Sequence, residues 1–114
     1  MMDHLTPLVD KAVDLEYKTT SVDHSPVFIN SNEGFGVLSE EIQETLDDLD
    51  YIAERMQDML VAIREQDKYA ISHSAYSVYH RAKAAACECI QVAAMAHKMT
   101  VTMKYINKEE NGDV

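Results

Sequence analysis

A chain of 114 residues, 46% of them apolar and 26% charged, has the size of one domain and enough apolar surface for a packed core. Ten Lys and Arg against twenty Asp and Glu leave a formal charge of -10. No segment concentrates the cations, which argues against a phosphate-tracking surface for nucleic acid. No apolar run approaches the roughly 20 residues of a membrane span, and Met1-Met2-Asp3-His4 lacks the cationic start and apolar core of a signal peptide. A cytosolic protein is expected, with neither nucleic acid nor membrane as a partner.

Only three glycines and two prolines punctuate the sequence, and no β-branched stretch alternates with polar residues. An all-α fold in a single domain spanning 1–114 follows. Thr6-Pro7 is a helix start, because the hydroxyl can cap free amides while Pro sits where its missing N–H costs nothing; a short helix over 7–18 is predicted. Residues 19–32 mix Ser, Thr, Asp and Asn around Pro26 and read as an ordered loop, with Val27-Phe28-Ile29 as its apolar anchor. It is the expected lid or subunit contact.

From 33 to 66 the positions Leu38, Ile42, Thr45, Leu49, Ile52, Met56, Met59 and Ile63 step by fours and threes, which predicts a long amphipathic helix. A second series predicts another over 68–106: Ile71, Ala75, Val78, Ala82, Ala85, Cys89, Val92, Ala96, Met99, Met103 and Ile106. A break is expected near 66–68 or 71–74. Met95, Met99 and Met103 lie one turn apart and read as core packing. Cys87 and Cys89 fall on opposite sides of this helix, so they neither pair nor chelate together, and both are expected to be small buried or half-buried residues. The tail 107–114 has no apolar period and is expected to fray.

Two helices of on the order of 50 Å are too long for one short partner helix to cover. The expected architecture is therefore a long antiparallel helical hairpin plus the short N-terminal helix, completed into a bundle by a homodimer or homotetramer.

The densest polar constellation is Ser39-Glu40-Glu41-Ile42-Gln43-Glu44, followed by Asp47, Asp48 and Asp50. Glu41, Glu44 and Asp48 share one stripe of the helix beside the apolar seam, with Glu40 farther toward solvent. Such a stripe is either a solvated acidic face or a site for a hard cation such as Mg²⁺ or Mn²⁺. Glu88 lies in the small-residue run Ala84-Ala85-Ala86-Cys87-Glu88-Cys89, where an ionised carboxylate needs a partner or a shifted pKa. Gln91 follows one turn later on the same side. Either Glu88 emerges at the bundle edge, or it faces Glu41 and Glu44 and four oxygen-bearing side chains converge.

The stretch Glu33-Gly34-Phe35-Gly36-Val37-Leu38-Ser39-Glu40-Glu41-Ile42-Gln43-Glu44, paired with Glu88-Cys89-Ile90-Gln91-Val92-Ala93-Ala94-Met95-Ala96, resembles the MazG-like all-α nucleotide pyrophosphohydrolases, in particular their small phage and bacterial branch. That family carries E-E-x-x-E on one helix and E-x-x-D on a later one, the carboxylates binding Mg²⁺ for hydrolysis of nucleoside triphosphates to monophosphate and pyrophosphate. Glu40, Glu41 and Glu44 match the first motif, and Glu88 the start of the second. Gln91 stands where the family has Asp, bringing an amide oxygen but no charge, and the interval from Glu44 to Glu88 is longer than the family's usual linker.

The resemblance implies a hydrolase of ribo- or deoxynucleoside triphosphates that acts on nucleotide pools. Glu41, Glu44, Glu88 and Gln91 would hold Mg²⁺, with Mn²⁺ as a substitute, and Glu40 or Glu44 would orient the attacking water. Lys98 and Lys104 would approach the substrate's phosphates, their alternative role being to complement the helix dipole. The rival expectation is a non-catalytic helical interaction protein with a degenerate metal site. His73, Tyr76 and His80 recur along one face and read as a surface or interface feature. No Ser-His-Asp order, Gly-rich phosphate loop or paired C-x-x-C is present.

Overall fold

The computed structural model describes residues 3–23 and 25–110, and among these the fold is all-α. Three helices follow in order: α1 Thr6–Asp23, α2 Ser31–Arg64 and α3 Lys68–Glu110. The chain divides into two compact units. One gathers the segment up to Glu41 with that from Cys89 onward, and the other is Ile42–Glu88.

Helix α1 runs five residues beyond the predicted end at Lys18. The polar residues read as loop there bond back into the helix: Thr20 Oγ1 donates to the Glu16 carbonyl at 2.9 Å and Ser21 Oγ to that of Tyr17 at 2.8 Å. Hydroxyls satisfied in this way leave helical backbone bonds intact, so a Thr/Ser cluster need not end the helix. Helix α2 begins two residues before the predicted start at Glu33. Asn30 caps it, its Oδ1 accepting the Glu33 amide at 2.9 Å, while Glu33 Oε1 reaches back to the Ile29 amide at 3.3 Å. This reciprocal pair satisfies two donors at the helix entry.

The shortened loop is tied down within the first unit. Tyr17 Oη donates to the Pro26 carbonyl at 3.0 Å, and the Phe28 amide donates to Thr102 Oγ1 at 2.9 Å. Phe28 is buried with Ala94 and Met95, against Val13, Tyr17, Val37, Leu38 and Met99. Of the expected anchor Val27-Phe28-Ile29, Phe28 is buried and Val27 half-buried, whereas Ile29 is 83% exposed. Gly34 permits the close approach of this cluster to α2: a Cβ there would meet Phe28 Cδ2 at 2.9 Å and the tip of the Met99 side chain.

In the second unit α2 ends in a Schellman turn. Gln66 takes the left-handed conformation with φ of 55°. The Asp67 amide donates to the Ala62 carbonyl at 3.0 Å and the Gln66 amide to that of Ile63 at 3.1 Å. Asp67 then caps α3 through its Oδ1, which accepts the Ala70 amide at 3.1 Å. With both helix ends satisfied, the break falls at residues 65–67, and α3 runs unbroken through 71–74. It also includes Asn107–Glu110, expected to fray; residues 111–114 lie outside the described residues. No helix among the described residues is long and apolar enough to cross a membrane.

The apolar series predicted for the two long helices holds at every second position and is displaced by one residue at the others. On α2, Leu38, Thr45, Ile52 and Met59 are half-buried, but Ile42, Leu49, Met56 and Ile63 are 45–52% exposed; Glu41, Asp48, Arg55 and Ala62 turn inward in their place. On α3, Ala75, Ala82, Cys89, Ala96 and Met103 are exposed, and the inward residues are Ser74, Arg81, Glu88, Met95 and Thr102. The seams of both helices thus carry a polar residue at nearly every second step. Cys87 and Cys89 are both exposed thiols, contrary to the expected burial, because the residue turned inward between them is Glu88.

Candidate metal centre and the polar seam

The displaced register places the carboxylates. Glu41 and Glu44 sit one turn apart on α2, and Glu88 on α3 joins them: one carboxylate oxygen from each lies within 4.8 Å of the others. Glu41 and Glu88 are half-buried, whereas Glu44 is exposed. Two oxygens on opposite sides of an octahedral Mg²⁺ are about 4.2 Å apart, and somewhat more around a larger hard cation. The donor set suits a hard cation in chemistry, and its spread is close to what such an ion spans.

Of the other residues assigned to this site, Gln91 is half-buried one turn beyond Glu88, and Glu40 is exposed on α2. Asp48, third on the acidic stripe, does not join the cluster. Its Oδ1 accepts a hydrogen bond from Arg81 Nη1 at 3.1 Å, and the pair is charge-compensated. Arg81 also stacks on Tyr51, its Cζ 3.9 Å from the ring centroid, with the Arg55 guanidinium carbon 5.0 Å from the same ring. This cation–aromatic cluster is absent from the sequence reading. Its signal was the seven-residue spacing of Ser74 and Arg81 with Glu88, of which only Glu88 stands out against its apolar neighbours.

Lys104 is exposed. Lys98 is buried in the first unit, 6% exposed, with Nζ 4.5 Å from the centroid of the Phe28 ring. His97 packs edge-on against Tyr17 with ring centroids 4.7 Å apart. His73 stacks on Tyr69, and His80 lies against both Tyr76 and Tyr79. All five of those rings are exposed, so this face is an aromatic surface. At the end of α3 the exposed Tyr105 has its pKa raised above the ordinary value, first by its hydrogen bond to Glu109 and then by that carboxylate's charge.

Searches of family models, curated proteins and solved structures find no match to this chain.

Proposed function

We propose that this protein is a divalent-cation-dependent hydrolase of nucleoside or deoxynucleoside triphosphates, releasing monophosphate and pyrophosphate in the cytoplasm. The observation that carries the reading is the convergence of Glu41, Glu44 and Glu88. These are residues of the two motif blocks that resemble the MazG-like family, and 43 sequence positions separate Glu44 from Glu88. In this reading Glu41, Glu44 and Glu88 hold Mg²⁺, or Mn²⁺ in its place, with the Gln91 amide oxygen as a neutral fourth donor. Such a cation supplies positive charge against phosphate oxygens and acidifies water. Glu44, or Glu40 beside it, orients the attacking water, and of the two α3 cations expected at the substrate the exposed Lys104 is the one kept for it, since Lys98 is buried against Phe28.

Helix pairing belongs to the same proposal. Within the second unit, moving forward on α2 from Glu44 to Asp48 goes with moving back on α3 from Glu88 to Arg81, which supports an antiparallel hairpin. The hairpin would be completed by a second copy of the chain. Ile42, Leu46, Leu49, Met56, Leu60 and Ile63 step by fours and threes along α2, with one step of seven after Leu49, and are all 41–52% exposed.

The test is pyrophosphate release from a panel of ribo- and deoxynucleoside triphosphates with Mg²⁺ and then Mn²⁺. Glu41→Ala and Glu88→Ala are each expected to lower the rate on the order of 100-fold or more. Silence across the panel in a folded protein would overturn the reading and make Gln91 the mark of a helical interaction protein that has lost its catalysis.

A further inference from the structure

Lys98 is the single charged residue among the described ones that is buried. Its ammonium carries three N–H donors, and the side chain lies over the face of Phe28 with Nζ 4.5 Å from the ring centroid. A cation–aromatic contact is worth about 0.5 to 2 kcal/mol and uses none of those donors.

Lys98 lines a cavity of about 670 Å³ that lies wholly within the first unit. Its walls include Val27, Phe28, Val37 and Met95, so an entering molecule meets mainly apolar surface. The polar groups on the wall are engaged by the chain itself. Glu33 accepts the Ile29 amide, Ser25 Oγ accepts that of Val27 at 3.2 Å, Thr20 donates to Glu16, and Tyr105 donates to Glu109. Lys98 is the one cation among the residues that line the cavity, and its ammonium is the group there suited to an anionic head. The volume is that of a small-molecule site, and a few placed polar groups on apolar walls are how such sites select.

We infer that this cavity binds a small amphipathic organic monoanion, its anionic head on Lys98 and its apolar body against Val27, Phe28, Val37 and Met95. One negative charge suits the site better than two, because a single cation faces the cavity and the Glu33 carboxylate shares its wall. None of Glu41, Glu44 and Glu88 lines it, so the inference stands whether or not the chain hydrolyses nucleotides.

Octanoate and its uncharged counterpart 1-octanol are the probes, titrated into the full chain and followed by calorimetry and by the amide and methyl resonances of Val27, Val37 and Met95. Octanoate is expected to bind at least about tenfold more tightly than octanol, the scale of one charge-assisted hydrogen bond. Lys98→Met removes the charge while keeping the length; it is expected to abolish that preference while octanol binding is kept. Lys98→Arg, with the charge restored, is expected to prefer octanoate again, which separates loss of the cation from loss of the fold. Equal binding of the two probes to the native chain, absence of octanoate binding, or an octanoate preference that survives in Lys98→Met would each overturn the inference.

Discussion

Thr102 is fully buried, and its hydroxyl is a two-sided joint: Oγ1 accepts the Phe28 amide at 2.9 Å and donates to the Lys98 carbonyl at 2.7 Å. Thr102→Val preserves the shape and removes both bonds. A buried amide left without an acceptor costs about 1 to 3 kcal/mol, and replacing a hydroxyl by a methyl returns about 1. With the weaker bond to Lys98 also lost, a net destabilisation of about 1 to 2.5 kcal/mol is expected. Thr102→Ser keeps the hydroxyl and removes only a methyl group, for about 1 kcal/mol. Urea denaturation gives the two totals, but hydrogen exchange at the Phe28 amide separates the causes. Protection there should survive in Thr102→Ser and fall by roughly 10- to 100-fold in Thr102→Val. If Thr102→Val retained both its stability and the protection of Phe28, the hydroxyl would not be what holds the loop, and the walls of the Lys98 cavity would need another anchor.

The two glycines at the start of α2 should respond to the same change with opposite signs. Gly36→Ala meets nothing within 4 Å and should stabilise by about 0.5 to 1 kcal/mol, through helix propensity and a less flexible unfolded chain. Gly34→Ala drives a Cβ against Phe28 and Met99 and should destabilise by about 1 kcal/mol after that gain is deducted; thermal midpoints of equal sign would contradict the packing described. Gln66 holds a left-handed conformation that favours glycine, so Gln66→Gly should raise stability in urea by about 0.5 kcal/mol, the relief of strain exceeding the added freedom of the unfolded chain. A lower midpoint in that variant would show that the Gln66 side chain contributes more than its strained backbone costs.

The long helices were legible in the sequence because their apolar residues repeat by fours and threes, and the turn between them was placed to within a few residues by Gln66-Asp67-Lys68. What periodicity misplaced was the direction each helix faces. Alternation of Ile42, Leu49, Met56 and Ile63 with Leu38, Thr45, Ile52 and Met59 reads as one stripe, but on a helix these are two adjacent rows. The inner row beside Leu38, Ile52 and Met59 is filled by Glu41, Asp48, Arg55 and Ala62. A rule that ranks positions by hydrophobicity passes over an inward charge such as Glu41 or Glu88. Density of carboxylates marked Glu41 and Glu44, and small apolar surroundings marked Glu88, the three acids that the fold brings within 4.8 Å of one another. Arg81 carried no such mark, being one cation in a polar stretch whose partner, Asp48, is 33 residues away. Thr102, and the burial of Lys98, escaped for a similar reason: burial is decided by the loop that closes over them, and its anchoring residue Phe28 lies 74 positions from Thr102.

Cys87 and Cys89 project into solvent on either side of Glu88, and their positions preclude an intrahelical bridge. The chain therefore carries a ready attachment point on each flank of the carboxylate cluster, without an engineered residue. A fluorophore coupled to either thiol sits one residue from Glu88, where a paramagnetic ion would quench it as the ion arrives. Unprotected in air, the same thiols can form disulfides only between molecules, so a covalent ladder on a non-reducing gel is expected on storage without reductant.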